Sequence, residues 1–214
     1  MIDEPMTMLT DYVLATVTAW LGWLLFRARE GQVSRKYWTL AFAALALGSA
    51  LGGTYHGFGS RLGDSTHHLL WKATVLTIGV ASFGMTMGSA AAVTAELPRK
   101  LLVALAAAKL ALYSGWMLTH DAFIYVIADT GIAMAVVASL HAWSAMRNRD
   151  RASFWIMGAV GVSLVAAGVQ ASKLALHPGF NHNDLYHVIQ MAAMGLFYTG
   201  AKRLRDRDQR NEAE

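Results

Sequence analysis

The sequence predicts an all-α integral membrane protein, a seven-transmembrane helix bundle with its N-terminus outside and its C-terminus cytoplasmic. Three observations predict it. The 214 residues are 55% hydrophobic and only 15% charged, with a mean hydropathy of +0.36, whereas about a quarter of a soluble domain is charged. The apolar residues come in blocks of roughly 20, the length a helix needs to cross about 30 Å of hydrocarbon. Basic residues collect on alternate loops, the pattern that the positive-inside rule reads as topology.

The spans fall at 8–28, 36–58, 67–92, 99–118, 122–146, 153–176 and 184–202, in a single transmembrane domain covering 1–214. Span one follows an acidic start, Asp3 and Glu4; a cleaved signal peptide would begin with a basic region. Gly31 marks the loop to span two, which carries Arg27, Arg29, Arg35 and Lys36. Span two ends in Gly52-Gly53-Thr54-Tyr55-His56-Gly57, whose glycines let helices approach closely. Asp64-Ser65-Thr66-His67-His68 opens span three, and Pro98, Arg99 and Lys100 turn the chain into span four. Arg147, Arg149 and Arg151 separate span five from span six, and Pro178-Gly179 breaks the chain before span seven. The tail with Lys202, Arg203, Arg205, Arg207 and Arg210 reads as a short frayed extension of the last helix.

Only Arg61 stands on the opposite face. The net charge of +4 and the isoelectric point near 9.5 are therefore a topology signal, and nucleic acid is not an expected partner. Absence of cysteine excludes disulfides, thiolate metal sites and cysteine nucleophiles. The Ala/Gly/Arg-rich composition and the lack of a eukaryotic targeting signal place the chain in a bacterial inner membrane. Membrane lipid surrounds it, and the sequence leaves its oligomeric state open.

Seven of the eight histidines, His56, His67, His68, His120, His177, His182 and His187, fall at one end of the spans; only His141 lies at the other. With this orientation they face the periplasm, beside Asp11, Asp64, Asp121 and Asp184. Histidine is the commonest metal ligand and titrates near neutral pH. The densest stretch is Phe180-Asn181-His182-Asn183-Asp184-Leu185-Tyr186-His187-Val188-Ile189-Gln190. Asn183 or Asp184 caps the last helix, and His187 stands in its first turn. His182, His187 and His56 together would be the three imidazoles of a catalytic zinc site; the blander reading is a polar capping loop with interfacial rings. Asp64 is the candidate general base on a metal-bound water. His68 and Lys72, four apart on one face, complete the candidate catalytic set. Lys72, Lys109, Asp129 and Lys173 lie deeper, where charges face a bundle interior or a cavity. No Gly-x-Ser-x-Gly, no His-Glu-x-x-His and no phosphate-binding loop occurs.

Seven spans, a histidine ending span two and paired histidines opening span seven resemble the membrane hydrolases that include alkaline ceramidases and adiponectin/progestin receptors. The resemblance implies a zinc ion on His56, His182 and His187, and hydrolysis of a lipid amide or ester by zinc-bound water. In that superfamily a serine stands four residues before the span-two histidine, where this chain has Gly52, and its span-seven histidines are four apart. His182 and His187 are five apart, about 140° around a helix, so joint coordination requires His182 to leave the helix. The residues alone leave a second reading open, a transporter or proton-coupled sensor that uses Lys109, Asp129 and Lys173 with the outer histidines, and a third, haem ligation by two histidines.

Overall fold

A computed structural model describes residues 2–208; Arg210 of the basic tail lies outside the described residues. The chain forms seven α-helices, α1 (Pro5–Arg27), α2 (Val33–Phe58), α3 (Asp64–Val93), α4 (Glu96–Thr119), α5 (Ile124–Asn148), α6 (Arg151–Ser172) and α7 (His182–Ala201). A short 3-10 turn, Gly59–Arg61, follows α2, and no strand occurs among the described residues. Five helices, α1, α3, α4, α5 and α6, are long and apolar enough to cross a membrane. α2 and α7 have 26 and 20 residues, but Arg35 and Lys36 dilute the start of α2, as Asn183, Asp184, His187 and Gln190 dilute α7. α6 ends earlier than the apolar pattern suggests. Lys173 terminates it in the left-handed conformation at φ 56° and is exposed, so it stands off the helix rather than within a span.

Packing follows the order α1–α2–α3–α5–α6–α7 and returns from α7 to α1. Six helices thus close a ring, with α4 outside it against α3. Between helices in lipid there is no hydrophobic drive, so close packing of small residues and hydrogen bonds must do the joining. Gly84 and Gly88 on α3 show this. A Cβ on Gly84 would stand 2.9 Å from the Tyr37 carbonyl, and one on Gly88 2.9 Å from the Ser34 carbonyl, both on α2. α4 is fastened by a small apolar cluster, Tyr113 and Met117 against Val75 of α3 and Val126 of α5, and by polar contacts. The Tyr113 hydroxyl donates to the Val75 carbonyl at 2.9 Å, and Lys109 pairs with buried Asp129 of α5.

The arginine-rich half of the ring is solid. Trp38 and Phe197 pack at 5.2 Å, with Leu25, Phe42 and Leu204 fully buried around them. His141 is buried there between Ser153 Oγ at 2.8 Å and Ser89 Oγ at 3.1 Å, tying α5 to α6 and α3. The tail is not a frayed extension of α7. It folds back under α2, where both Asp206 carboxylate oxygens accept from the first backbone amides, Val33 N at 2.6 Å and Ser34 N at 2.9 Å. These amides have no partner within the helix, and the carboxylate also complements the helix dipole. Asp208 meets Arg99 at 2.6 Å, and Leu204 is buried. Asp206→Ala removes the cap and is expected to lower stability by about 1–2 kcal/mol, read as a drop in the unfolding midpoint in detergent; an unchanged midpoint would contradict the role of the strap.

Candidate functional site

The ring encloses a cavity of about 500 Å³, inside the size range of small-molecule sites. It starts at the histidine-rich end beside Tyr55, His56, Trp71 and His187, and its floor is formed by Met85, Ala138, Val160 and Phe197. Apolar side chains make most of the wall. Among the described residues Asp11, His56 and His187 line it, and no lysine or arginine does.

The local sequence of α7 builds the polar end. The Asn181 side chain accepts from the amides of Asn183 and Asp184, and the Asp184 carboxylate returns to the Asn181 amide at 2.7 Å. This reciprocal cap buries Asp184 and presents His187 three residues on. His187 Nδ1 lies 2.9 Å from Thr10 Oγ1, and His187 Nε2 lies 3.2 Å from Asp11 Oδ1. Thr10 Oγ1 also lies 3.1 Å from the Thr7 carbonyl and 3.5 Å from Asp184 Oδ1, so the ring bridges the Thr10 hydroxyl and the Asp11 carboxyl group. Both partners are buried, and a buried charge needs such a partner. Asp11 in turn is wedged against α2, where its Cβ lies 3.0 Å from the Cβ position of Gly53 and its Oδ2 lies 3.6 Å from that of Gly52.

The histidines share one end of the bundle but not one site. His56 lines the cavity, with its Nδ1 3.1 Å from Glu4 Oε2. His182 is the first residue of α7, on the helix, and does not line the cavity; Asn183, four residues before His187, does. His67 stacks on Tyr55 at 4.6 Å, His120 on Trp116 at 3.8 Å, and His177 accepts from the Gly179 amide. Asp64 is an exposed residue at the start of α3, and exposed His68 lies 3.9 Å from Asp121. Lys72 is buried away from the cavity. Its ammonium donates to the Met117 and His120 carbonyls at 2.5 and 2.9 Å and meets Asp121 at 2.7 Å, so it closes the C-terminal end of α4. Hydrogen bonding from Lys72 holds the Asp121 carboxyl below its ordinary range. Near the amino terminus, hydrogen bonds from Ser60 do the same for Asp3.

Zinc does not fit this donor set. Both ring nitrogens of His187 face protein partners, His182 is elsewhere, and among the described residues no group of three or more His, Cys, Asp or Glu is placed to hold a metal ion.

Asp11 is the site residue hardest to weigh from sequence, where it is one acid among four at this end. Its signal is its position inside the first apolar block, where a carboxylate must face the bundle interior. Three hydroxyls carry no sequence signal at all. Thr18 Oγ1, Ser82 Oγ and Ser163 Oγ line the cavity and have no protein hydrogen-bond partner among the described residues. Several other hydroxyls in the helices bond back to their own backbone, as Thr54 does to Ala50, Thr86 to Ser82 and Thr199 to Gly195. Buried polar atoms left over in this way mark a place for a ligand or ordered water.

The cavity also reaches the outer surface between α5 and α6. Ile127, Gly131 and Ala135, four apart along one edge of α5, line it and are exposed, as do Leu164 and Ala167 of α6. Exposure of Ile127 at 51% and Leu164 at 63% is too large for a sealed wall. A Cβ on Gly131 would meet nothing within 4 Å. The two helices are tied at their arginine-rich ends through His141 and Ser153, and part to form this slot.

The geometry predicts that purified protein holds far less than one zinc per chain by elemental analysis, before and after exposure to zinc. A stoichiometric zinc lost in His56→Ala and His187→Ala would contradict it.

No curated protein and no solved structure matches the chain at a significant level. One family model matches, and it covers residues 6–206, from the start of α1 through the Asp206 cap. The chain therefore belongs to a family of unknown function, DUF6962.

Proposed function

We propose that this protein is a seven-span protein of a bacterial inner membrane that takes a single-chain, lipid-like amphiphile from the bilayer into its central cavity. The positive-inside pattern supports an outside amino terminus and a periplasmic polar end. The observation that carries the reading is the cavity itself, apolar along its length, open to the lipid side between α5 and α6, and ended by the buried Asp11–His187 pair. An apolar pocket with a few convergent polar groups is the usual form of a small-molecule site. A cavity of about 500 Å³ has room for an acyl chain and its head and falls in the size range of small-molecule sites. Lys173 is exposed and off the cavity. Lys109 and Asp129 join α4 to α5, and neither lines the cavity.

Hydrolysis of a lipid ester or amide is a second reading, favoured by the Asp11 contact on His187, since a carboxylate orients and strengthens an imidazole base. Such chemistry runs without the zinc of the resembling hydrolases. Thr10 completes an Asp–His–Thr series but is no nucleophile, because it does not line the cavity. Water would be the attacking group, and His187 would take its proton after its ring leaves one present partner.

The test is binding of a fluorescent dodecyl amphiphile to the protein in nanodiscs. Saturable binding at one per chain is expected. Leu164→Trp, which narrows the slot, slows association and dissociation together and leaves the equilibrium constant where it was, because a portal acts on rates. Leu105→Trp on the outer face of α4 changes neither rate. Absence of saturable binding would overturn the reading; unchanged rates in Leu164→Trp would overturn entry between α5 and α6. Release of free acid from a dodecyl ester, lost in His187→Ala, would favour the hydrolytic reading.

A further inference from the structure

The polar end of the cavity brings one acidic side chain together with a row of aromatic rings. Its single acidic side chain is Asp11, and no lysine or arginine among the described residues lines the cavity to balance it. Asp11 Oδ1 is on His187, and both carboxyl oxygens lie against the bare backbone of Gly52, Oδ2 at 3.6 Å and Oδ1 at 3.8 Å from its Cβ position, so Oδ2 is the oxygen left for whatever enters. Thr74 of α3 faces the same spot, with its Cγ2 3.8 Å from the Cβ position of Gly52. Three residues along α2 from Gly52 is Tyr55, and three residues back along α3 from Thr74 is Trp71. Both are therefore about one turn nearer the histidine-rich end on the same helix faces.

These two rings meet at 5.3 Å, and Trp71 meets Phe123 at 6.1 Å. All three line the cavity. The row is braced from behind, where His67 stacks on Tyr55 and Gly59 leaves room for the His67 ring. A carboxylate with aromatic rings about one turn above it is the arrangement that attracts an organic cation. Ring faces are electronegative, and they hold quaternary ammonium groups most strongly where water is excluded. An anionic head at the same place would face the Asp11 carboxyl group with no lysine or arginine on the cavity, among the described residues, to pair with it, a costly burial.

We propose that the amphiphile of this cavity is cationic, a single-chain lipid whose amine or quaternary ammonium head sits between Asp11 Oδ2 and the Tyr55–Trp71–Phe123 rings. The proposal rests on the reading of the cavity as an amphiphile site and adds the class of head group. His56 and His187 also line the cavity near this head, held by Glu4 and by Asp11.

Three dodecyl compounds that differ only in head group test it, a trimethylammonium, an alcohol and a sulfate, each competed against the fluorescent probe in maltoside micelles. The ammonium compound is expected to bind about tenfold more tightly than the alcohol, and the sulfate more weakly than either. Trp71→Leu and Asp11→Asn each bring the ammonium-to-alcohol ratio close to one; should Asp11→Asn fail to fold, Trp71→Leu and Tyr55→Leu carry the test. Equal binding of ammonium and alcohol by the wild-type protein would overturn the cationic head while leaving an amphiphile site in place. No competition by any of the three would remove the site itself, and the inference with it.

Discussion

A carboxylate buried among membrane helices has to find its partners within the protein, and in this chain that requirement joins the first helix to the last. Asp11 of α1 meets His187 of α7, with Thr10, Thr7, Asp184 and Asn181 completing the contact. Lipid supplies no force that would press α1 against α7. The buried polar cluster does so, and with it the ring of six helices closes. Without closure there is no cavity, so one interaction is both the clasp of the fold and the polar end of the site.

The other joints obey the same constraint by different means. α2 and α3 come together on glycines that admit the neighbouring backbone, Gly84 and Gly88 above all. α4 buries little surface, and Lys109 with Asp129, Lys72 on the last carbonyls of α4, and Tyr113 on Val75 fasten it. Where neither device operates, between α5 and α6 beyond His141, residues that line the cavity are also exposed. Rigidity is thus concentrated at the arginine-rich half, where Trp38, Phe42 and Phe197 fill the ring and Asp206 clamps α2. The site occupies the half left open.

Helix number and placement were legible in the sequence because apolar blocks and turn residues report on a single segment at a time. All seven helices lie within a few residues of their apolar blocks, apart from the early end of α6 at Lys173, whose left-handed cap has no strong sequence marker. The one-sided histidine layer was legible too, but its division was not. Which of seven rings face the interior depends on helix rotation, and rotation is set by partners distant in sequence: Glu4 for His56, Tyr55 for His67, Trp116 for His120. Lys72 looked like part of a catalytic set, yet it caps a helix whose end is 45 residues away. Asp11 was visible as an acid inside an apolar block, but its pairing with a histidine 176 positions later follows only from ring closure.

Ring closure, the lateral slot and the polar end together make one claim, that a lipid-like molecule lies inside this bundle. Photolabelling in native membranes addresses it directly. A single-chain lipid carrying a diazirine near its chain terminus is irradiated with the protein, and the labelled peptides are mapped by mass spectrometry. Label on the cavity floor and slot, around Met85, Ala135, Ala138 and Leu164, competed away by excess unlabelled lipid, is the predicted result. Label spread over the exposed outer face of α4 and indifferent to competitor would mean that lipid only surrounds the protein, and would contradict the account.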